Sequence, residues 1–263
     1  LIVTFLRNQN IKKMSKLKSK VAIVTGSSKG IGAGIARELA HAGAKVVVNY
    51  NSAKEEADTL VDEINKAGGT AIAIQGSVTN RAHMAKLFDE TKSRFGMVDI
   101  LVNNAGIYEF GPAMHATEDS FHRLMDTNVL GIILSTQEAL KVFNSKGGSI
   151  INISSFASTR PEPYSLIYAS TKSAVDSLTT TLSQELGPQQ IRVNSIRPGG
   201  VLTEGIAKLG ITEDSDPIKQ TISRSALGRM AQPEDMGKLA VFLASDDSAL
   251  ISGQFIEVSA GFR

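Results

Sequence analysis

Val21-Ala22-Ile23-Val24-Thr25-Gly26-Ser27-Ser28-Lys29-Gly30-Ile31-Gly32 is the stretch on which the fold turns. An unbroken apolar run suits a strand covered on both faces, and the segment after it, Gly30–Ala42, carries apolar residues at three- and four-residue spacing, a helical period. A glycine-rich turn between the two points backbone N–H groups out of a helix N-terminus, with little side chain in the way.

The same alternation continues outward. Val46–Val48, Ala71–Ile74, Ile100–Val102, Ile150–Ile153, Ile191–Val193 and Phe255–Val258 read as further strands. Ala53–Ala67, Arg81–Phe95, Phe121–Phe143, Ser165–Leu186 and Pro233–Ala244 read as helices. In Ser165–Leu186 the residues Ala174, Leu178, Leu182 and Leu186 form one stripe, and Gly187-Pro188 predicts a left-handed cap followed by a breaker. Right-handed crossovers put helices on both faces of such a sheet. The expectation is a single Rossmann-like α/β domain over 20–263: a doubly wound, seven-stranded parallel sheet flanked by helices. Val201–Met230 lacks a strand signal and is expected to be a substrate lid.

Composition narrows the function classes. With 42% hydrophobic residues the 263-residue chain can bury a sizeable core. No run of 18 apolar residues occurs, so no membrane span is expected. The absence of cysteine removes thiolate metal sites and cysteine nucleophiles and fits a reducing, cytoplasmic setting. Six of the 28 basic residues fall in the first 20, where there is no acid; the remainder has 22 basic against 26 acidic residues. We expect residues 1–19 to be a flexible basic tail: either a targeting peptide or weak anion-binding arm, or, the reading we prefer, a segment in which Leu1–Lys13 precede the natural start at Met14. A mildly acidic body gives no reason to expect a nucleic-acid partner. His41, His83, His115 and His122 show no ligand spacing, so no metal is expected.

The glycine turn fits a dinucleotide pyrophosphate, which needs close approach to backbone N–H groups at Gly26, Ser28, Lys29, Gly30, Ile31 and Gly32, unless these glycines merely make a tight strand–helix turn. The spacing is neither GxGxxG nor a P-loop, which argues against ATP chemistry. At the end of the second strand Asn49-Tyr50-Asn51-Ser52 stands where an acid would select NAD. Neutral donors at Tyr50, Asn51 and Ser52, with Lys29 nearby, favour a 2′-phosphate and hence NADP(H) over NAD(H), unless Lys29 is simply a solvated surface charge.

Tyr168-Ala169-Ser170-Thr171-Lys172 puts a phenol and an ammonium one helical turn apart. An ammonium close by favours phenolate, and lowering the pKa from about 10 by ~3 units corresponds to roughly 4 kcal/mol. Tyrosine then becomes a usable general acid or base. Ser155 follows a strand, at the sheet edge where α/β proteins bind ligands, and can hydrogen-bond a substrate carbonyl; otherwise Ser154 and Ser155 cap loop backbone. Asn103-Asn104-Ala105-Gly106 ends the fourth strand with small residues that let a cofactor lie close. Asn128 is either a member of this site or a buried amide bonded to backbone.

Together Thr25-Gly26-x-x-x-Gly30-x-Gly32, Asn103-Asn104-Ala105-Gly106, Asn128, Ser155, Tyr168-x-x-x-Lys172 and Pro198-Gly199 with Thr203 resemble the short-chain dehydrogenase/reductase family over nearly all of Lys20–Gly261. Closest in feel are 3-oxoacyl reductases and sugar dehydrogenases. The resemblance implies a hydride exchange between a nicotinamide and a carbonyl/alcohol pair. It implies that Tyr168 is the acid/base, that Lys172 lowers its pKa and binds the nicotinamide ribose, that Ser155 positions the carbonyl, and that Asn128 holds a water. It places Pro198, Gly199, Val201 and Thr203 beside the nicotinamide, Asn104, Ala105 and Gly106 along the cofactor, and Ser77 and Val78, in place of the usual Asp-Val, near the adenine. The helices Phe121–Phe143 and Ser165–Leu186 resemble those of the family's dimer interface, commonly within a homotetramer, while Val258-Ser259-Ala260-Gly261-Phe262 departs from the usual Asp-Gly-Gly.

Substrate choice is expected in Ile107–Ala113, Phe156–Ile167 and the lid. Tyr108, Phe110, Phe156 and Tyr164 either line an apolar pocket there or pack the loops that carry them. The rival from another class is a dinucleotide-binding sensor or scaffold that no longer turns over.

Overall fold

The computed structural model describes residues 15–204 and 215–262. The seven expected strands are β1 (Val21–Val24), β2 (Lys45–Tyr50), β3 (Thr70–Gln75), β4 (Ile100–Asn103), β5 (Gly148–Ile153), β6 (Ile191–Pro198) and β7 (Phe255–Val258). They form one parallel sheet in the order β3-β2-β1-β4-β5-β6-β7. Val24 of β1 is in register with Val48 of β2 on one side and Val102 of β4 on the other. The strand order reverses at the β1/β4 junction, which opens a crevice at the carboxyl edge of the sheet.

The described helices are α1 (Gly30–His41), α2 (Lys54–Lys66), α3 (Arg81–Phe95), α4 (Glu118–Met125), α5 (Gly131–Leu140), α6 (Leu166–Leu186), α7 (Asp216–Ser223) and α8 (Pro233–Ala244). Strand side chains alternate between two cores. Ala22, Val24, Ile100, Val102 and Ile151 pack with Ile35, Leu39, Met236 and Leu243 of α1 and α8. Ile23, Leu101, Ile150 and Val193 pack on the other face with Met84, Leu87, Phe88 and Leu134 of α3 and α5. Burial on both faces is the reason these strands are almost wholly apolar; each such side chain contributes about 1.5–3 kcal/mol.

Four expectations change in detail. The tail does not run to residue 19: Ser15–Ser19 make a turn in which Leu17 is fully buried and its N–H donates to the Ala42 carbonyl at 2.9 Å. Leu17 supplies an anchor that the surrounding lysines mask in sequence, and Leu1–Met14 lie outside the described residues. The helix expected over Phe121–Phe143 is interrupted by a π-turn at Asp126–Leu130 between α4 and α5. Gly187 is right-handed (φ −52°, ψ −45°) and starts a short 3₁₀ turn; the left-handed residue is Gln190 at φ 59°. The stripe Ala174, Leu178, Leu182 is only half-buried, because α6 turns Thr171, Val175 and Thr179 to the sheet.

Val201–Met230 contains α7 and a bridge from Val201 to Ala231, so it is not wholly irregular. The middle of the expected lid, 205–214, lies outside the described residues.

Candidate active site

The turn after β1 is locked by the ends of two neighbouring strands. Thr25 Oγ1 accepts from the N–H of Asn104 at 3.0 Å and of Ala105 at 3.1 Å. Asn104 Nδ2 donates to the carbonyls of Thr25 and Gly26, both at 2.9 Å. On the other side Asn49 Oδ1 accepts from Gly26 N–H at 3.1 Å, while its Nδ2 donates to Gly76 at 3.0 Å. Gly26 sits at φ +60°, and a Cβ there would lie 2.8 Å from Ala105 Cα; a Cβ on Gly32 would lie 2.4 Å from Asn104 Nδ2. The side-chain amide and the main-chain N–H of Asn104 are thus both spent on the turn.

Helix α1 opens without a side-chain cap. Lys29 is extended and exposed, and Ser28 is half-buried. The Gly30 N–H donates instead to Glu204 Oε2 at 3.0 Å. A carboxylate therefore stands at the helix N-terminus, so this N–H binds an anion, as a pyrophosphate site requires. Glu204 carries no motif and escapes sequence reading. Thr203 beside it is also over the turn, its methyl 3.6 Å from where a Gly30 Cβ would be. Gly199 N–H donates to Val258 at 3.0 Å, Pro198 is buried, and Val201 is buried in its bridge to Ala231.

At the β2 end Tyr50 is taken into the core, 7% exposed, because it continues the buried face of the strand. The donors left exposed there are Asn51 and Ser52. Ser77 N–H donates to His83 Nδ1, and Val78 is buried against Gly131.

The four expected catalytic residues come from three places, the loop after β5, the π-turn before α5 and helix α6, and meet at the carboxyl edge. Ser155 follows β5, is buried, and accepts from Ala157 N–H at 3.2 Å. Tyr168 is half-buried on the first turns of α6 and is hydrogen-bonded to Ser155. Lys172 Nζ lies 5.7 Å from the Tyr168 ring centroid and donates to the Ile153 carbonyl at 2.9 Å. Asn128 is the centre of the π-turn: its Oδ1 accepts from Ile107 N–H at 2.8 Å, and its Nδ2 donates to the Ile107 carbonyl and to Thr171 Oγ1. Its amide is thus the buried, backbone-bonded alternative, and it pins the loop after β4 against α6. A Cβ on Gly106 would lie 3.3 Å from Asn128 Oδ1 and 3.7 Å from Lys172 Nζ, so this glycine borders both. Beneath them Asn103, Asn152 and Thr179 form a buried hydrogen-bonded chain that stiffens the floor.

Electrostatics departs from the expected acidic phenol. Burial pushes Tyr168 above the ordinary tyrosine range, and its hydrogen bond with Ser155 only partly offsets this. Burial also brings Lys172 down to about 8, against the pull of Asp176. The ammonium is directed at the Ile153 carbonyl rather than the phenol oxygen, so the cost of a desolvated phenolate dominates.

A cavity of about 260 Å³ is bounded by Phe110, Pro112, Ser120, Leu124, Tyr164 and Ile167, among others. Phe110 meets Tyr168 edge-on at 5.6 Å, and Tyr108 lies tilted against Phe110 at 5.8 Å. Phe110 and Tyr164 thus line a pocket, whereas Phe156 packs a loop, 5.4 Å from Phe262. Tyr164 is left-handed at φ 70°, and its carbonyl accepts from Gly111 N–H at 2.8 Å, joining the two expected substrate loops.

Residues 26–263 match a family model described as enoyl-(acyl carrier protein) reductase. The chain is 46% identical over 250 residues to an uncharacterized oxidoreductase of Methylorubrum extorquens, covering 95% of this chain and all of that one. It is 39% identical over 257 residues to the hydroxynaphthalene reductase-like protein Arp2 of Metarhizium majus, covering 93% and 95%. A crystal structure of a short-chain dehydrogenase from Burkholderia cenocepacia in complex with NADP superposes with a TM-score of 0.86 at 32% identity, covering 94% of this chain and 98% of the other.

Proposed function

We propose that this chain, which belongs to the short-chain dehydrogenase/reductase family, reduces a ketone or aldehyde carbonyl to an alcohol with NADP(H), Tyr168 giving the proton. The observation that carries the reading is the convergence of Tyr168, Ser155, Lys172 and Asn128 at the sheet edge beside a pocket lined by Phe110 and Tyr164. When bound, the dinucleotide supplies the hydride. The residues that would hold it are Gly26, Ser28, Lys29, Gly30, Ile31 and Gly32 at the pyrophosphate, with Asn104, Ala105, Gly106, Pro198, Gly199, Val201 and Thr203 toward the reacting end. Asn51, Ser52, Ser77 and Val78 would take the adenosine end. The uncapped start of α1, whose Gly30 N–H donates to the Glu204 carboxylate, fits an anionic group that would take that carboxylate's place. Gly26 and Gly32 keep the turn tight against Ala105 and Asn104. The exposed Lys29, with Asn51 and Ser52, supports a 2′-phosphate, and the NADP complex of the Burkholderia relative agrees.

In the proton step Tyr168 acts from its protonated form. A phenol kept above its usual pKa is fully protonated at neutral pH and stands ready as the acid of a reduction. Ser155 shares its hydrogen bond and would hold the carbonyl oxygen against the phenol. Lys172, as an ammonium, stabilises negative charge developing beside it. Asn128 keeps the Ile107 loop against α6. We read the half-buried Ala174, Leu178 and Leu182 as a subunit contact within a homotetramer, and the cysteine-free composition as suited to the cytoplasm.

The test is oxidation of NADPH and of NADH across a panel of ketones, using the wild type, Tyr168→Phe and Lys29→Ala. Turnover in the wild type, a loss of 10²-fold or more in Tyr168→Phe, and a larger loss with NADPH than NADH in Lys29→Ala are expected. Tight nucleotide binding without turnover on any ketone would remove the reductase reading.

A further inference from the structure

We infer that Asp176 is a positioning residue of this reaction: its buried carboxylate, one turn beyond Lys172 on α6, keeps that lysine an ammonium, and Arg197 on β6 sets how much of its charge is available. The inference rests on the reading above, in which Lys172 serves the proton step. Tyr168, Lys172 and Asp176 recur every four residues and share one helix face. Asp176 is 8% exposed. Its Oδ2 accepts from Arg197 Nε at 3.2 Å and Nη2 at 2.8 Å, and the guanidinium is fixed 4.3 Å from the Phe255 ring centroid. Its Oδ1 is buried and, among the described residues, has no hydrogen-bond partner.

An acid with one oxygen orphaned is costly to bury, and an asparagine carbonyl would satisfy Arg197 as well. What asparagine lacks is charge. The charge matters one turn away, where Lys172 is buried with its Nζ on the neutral Ile153 carbonyl. The charged and titratable groups facing Lys172 among the described residues are Tyr168 and Asp176 on its own helix and, behind Asp176, Arg197 on β6; Asn128 and Gly106 face it as neutral groups. Burial drives the lysine toward its neutral form and Asp176 opposes it.

The experiment titrates Lys172 in unloaded protein by trace acetylation with acetic anhydride between pH 6 and 11, read by peptide mass spectrometry. Asp176→Asn should lower the lysine's pKa by about one unit, a tenfold change in its protonation equilibrium. Arg197→Gln should move it up, and Asp176→Glu should leave it close to wild type. The alkaline limb of kcat/KM should move in the same directions. A pair that only holds α6 to β6 would cost stability in both variants without opposite shifts, and that result overturns the inference. So does a wild-type Lys172 titrating a unit or more below about 8. Should one variant fail to fold, the other still carries a signed expectation. Absence of ketone reduction in the wild type would sink the proposed function alone, since the titration needs no turnover.

Discussion

At neutral pH Lys172 is an ammonium with 6% of its surface exposed. Its folded pKa of about 8 lies below the ordinary 10.5, so between these values the folded chain binds fewer protons than the unfolded one. Stability therefore rises with pH across that window, and below pH 8 the charge costs its full amount, about 3 kcal/mol. Lys172→Met should stabilise the fold at pH 7 by roughly 1–3 kcal/mol, the lost bond to Ile153 offsetting part of the gain, while abolishing turnover. Melting curves at pH 7, 8.5 and 10 check this: the advantage must shrink as pH rises, and a constant advantage would mean that charge burial is not its source. The one-turn spacing marked Tyr168 and Lys172 in the sequence, and its place after a strand marked Ser155. Asp176 and Glu204 were not marked, because their significance depends on which helix face is buried and which loop folds over the glycine turn.

The element that matters most for the site is the π-turn at Asp126–Leu130. One widened turn lets Asn128 face the chain rather than follow a regular helical stripe, and π-turns often occur at functional positions. Asn128→Ala would strand both the N–H and the carbonyl of Ile107, at a cost of about 2–3 kcal/mol. Faster hydrogen exchange at Ile107 and a fall in kcat of about tenfold or more are expected; exchange like the wild type would show that the loop is held by something else. The early strands were readable because buried parallel strands are nearly continuous apolar runs, whereas β6 and β7 showed only short apolar clusters broken by Arg192 and Glu257. The break between α4 and α5 was not readable, since one extra residue leaves three- and four-residue spacing intact on either side. Gly187 misled for a related reason: a glycine before proline permits a left-handed cap, but the chain places that conformation at Gln190.

Across the whole molecule the parallel sheet gathers residues distant in sequence at one edge, and Phe262 packs at that edge. Phe262, 7% exposed, meets Phe156 at 5.4 Å and carries the Arg224 guanidinium at 4.2 Å, while its carbonyl accepts from Arg160 at 3.1 Å. One ring thus ties the segment after α7 to the loop after Ser155. Phe262→Ala should cost about 3 kcal/mol and raise KM more than it lowers kcat. Steady-state kinetics with a thermal melt would test it, and an unchanged KM would show that the loop keeps its shape unaided.

Leu17, by contrast, is seated at the opposite rim, beneath the end of α1. Ser15 and Phe262 therefore differ as attachment points. A reporter attached at Ser15 would emerge behind the sheet, away from the chemistry, whereas one attached beside Phe262 would disturb the loop that begins at Ser155.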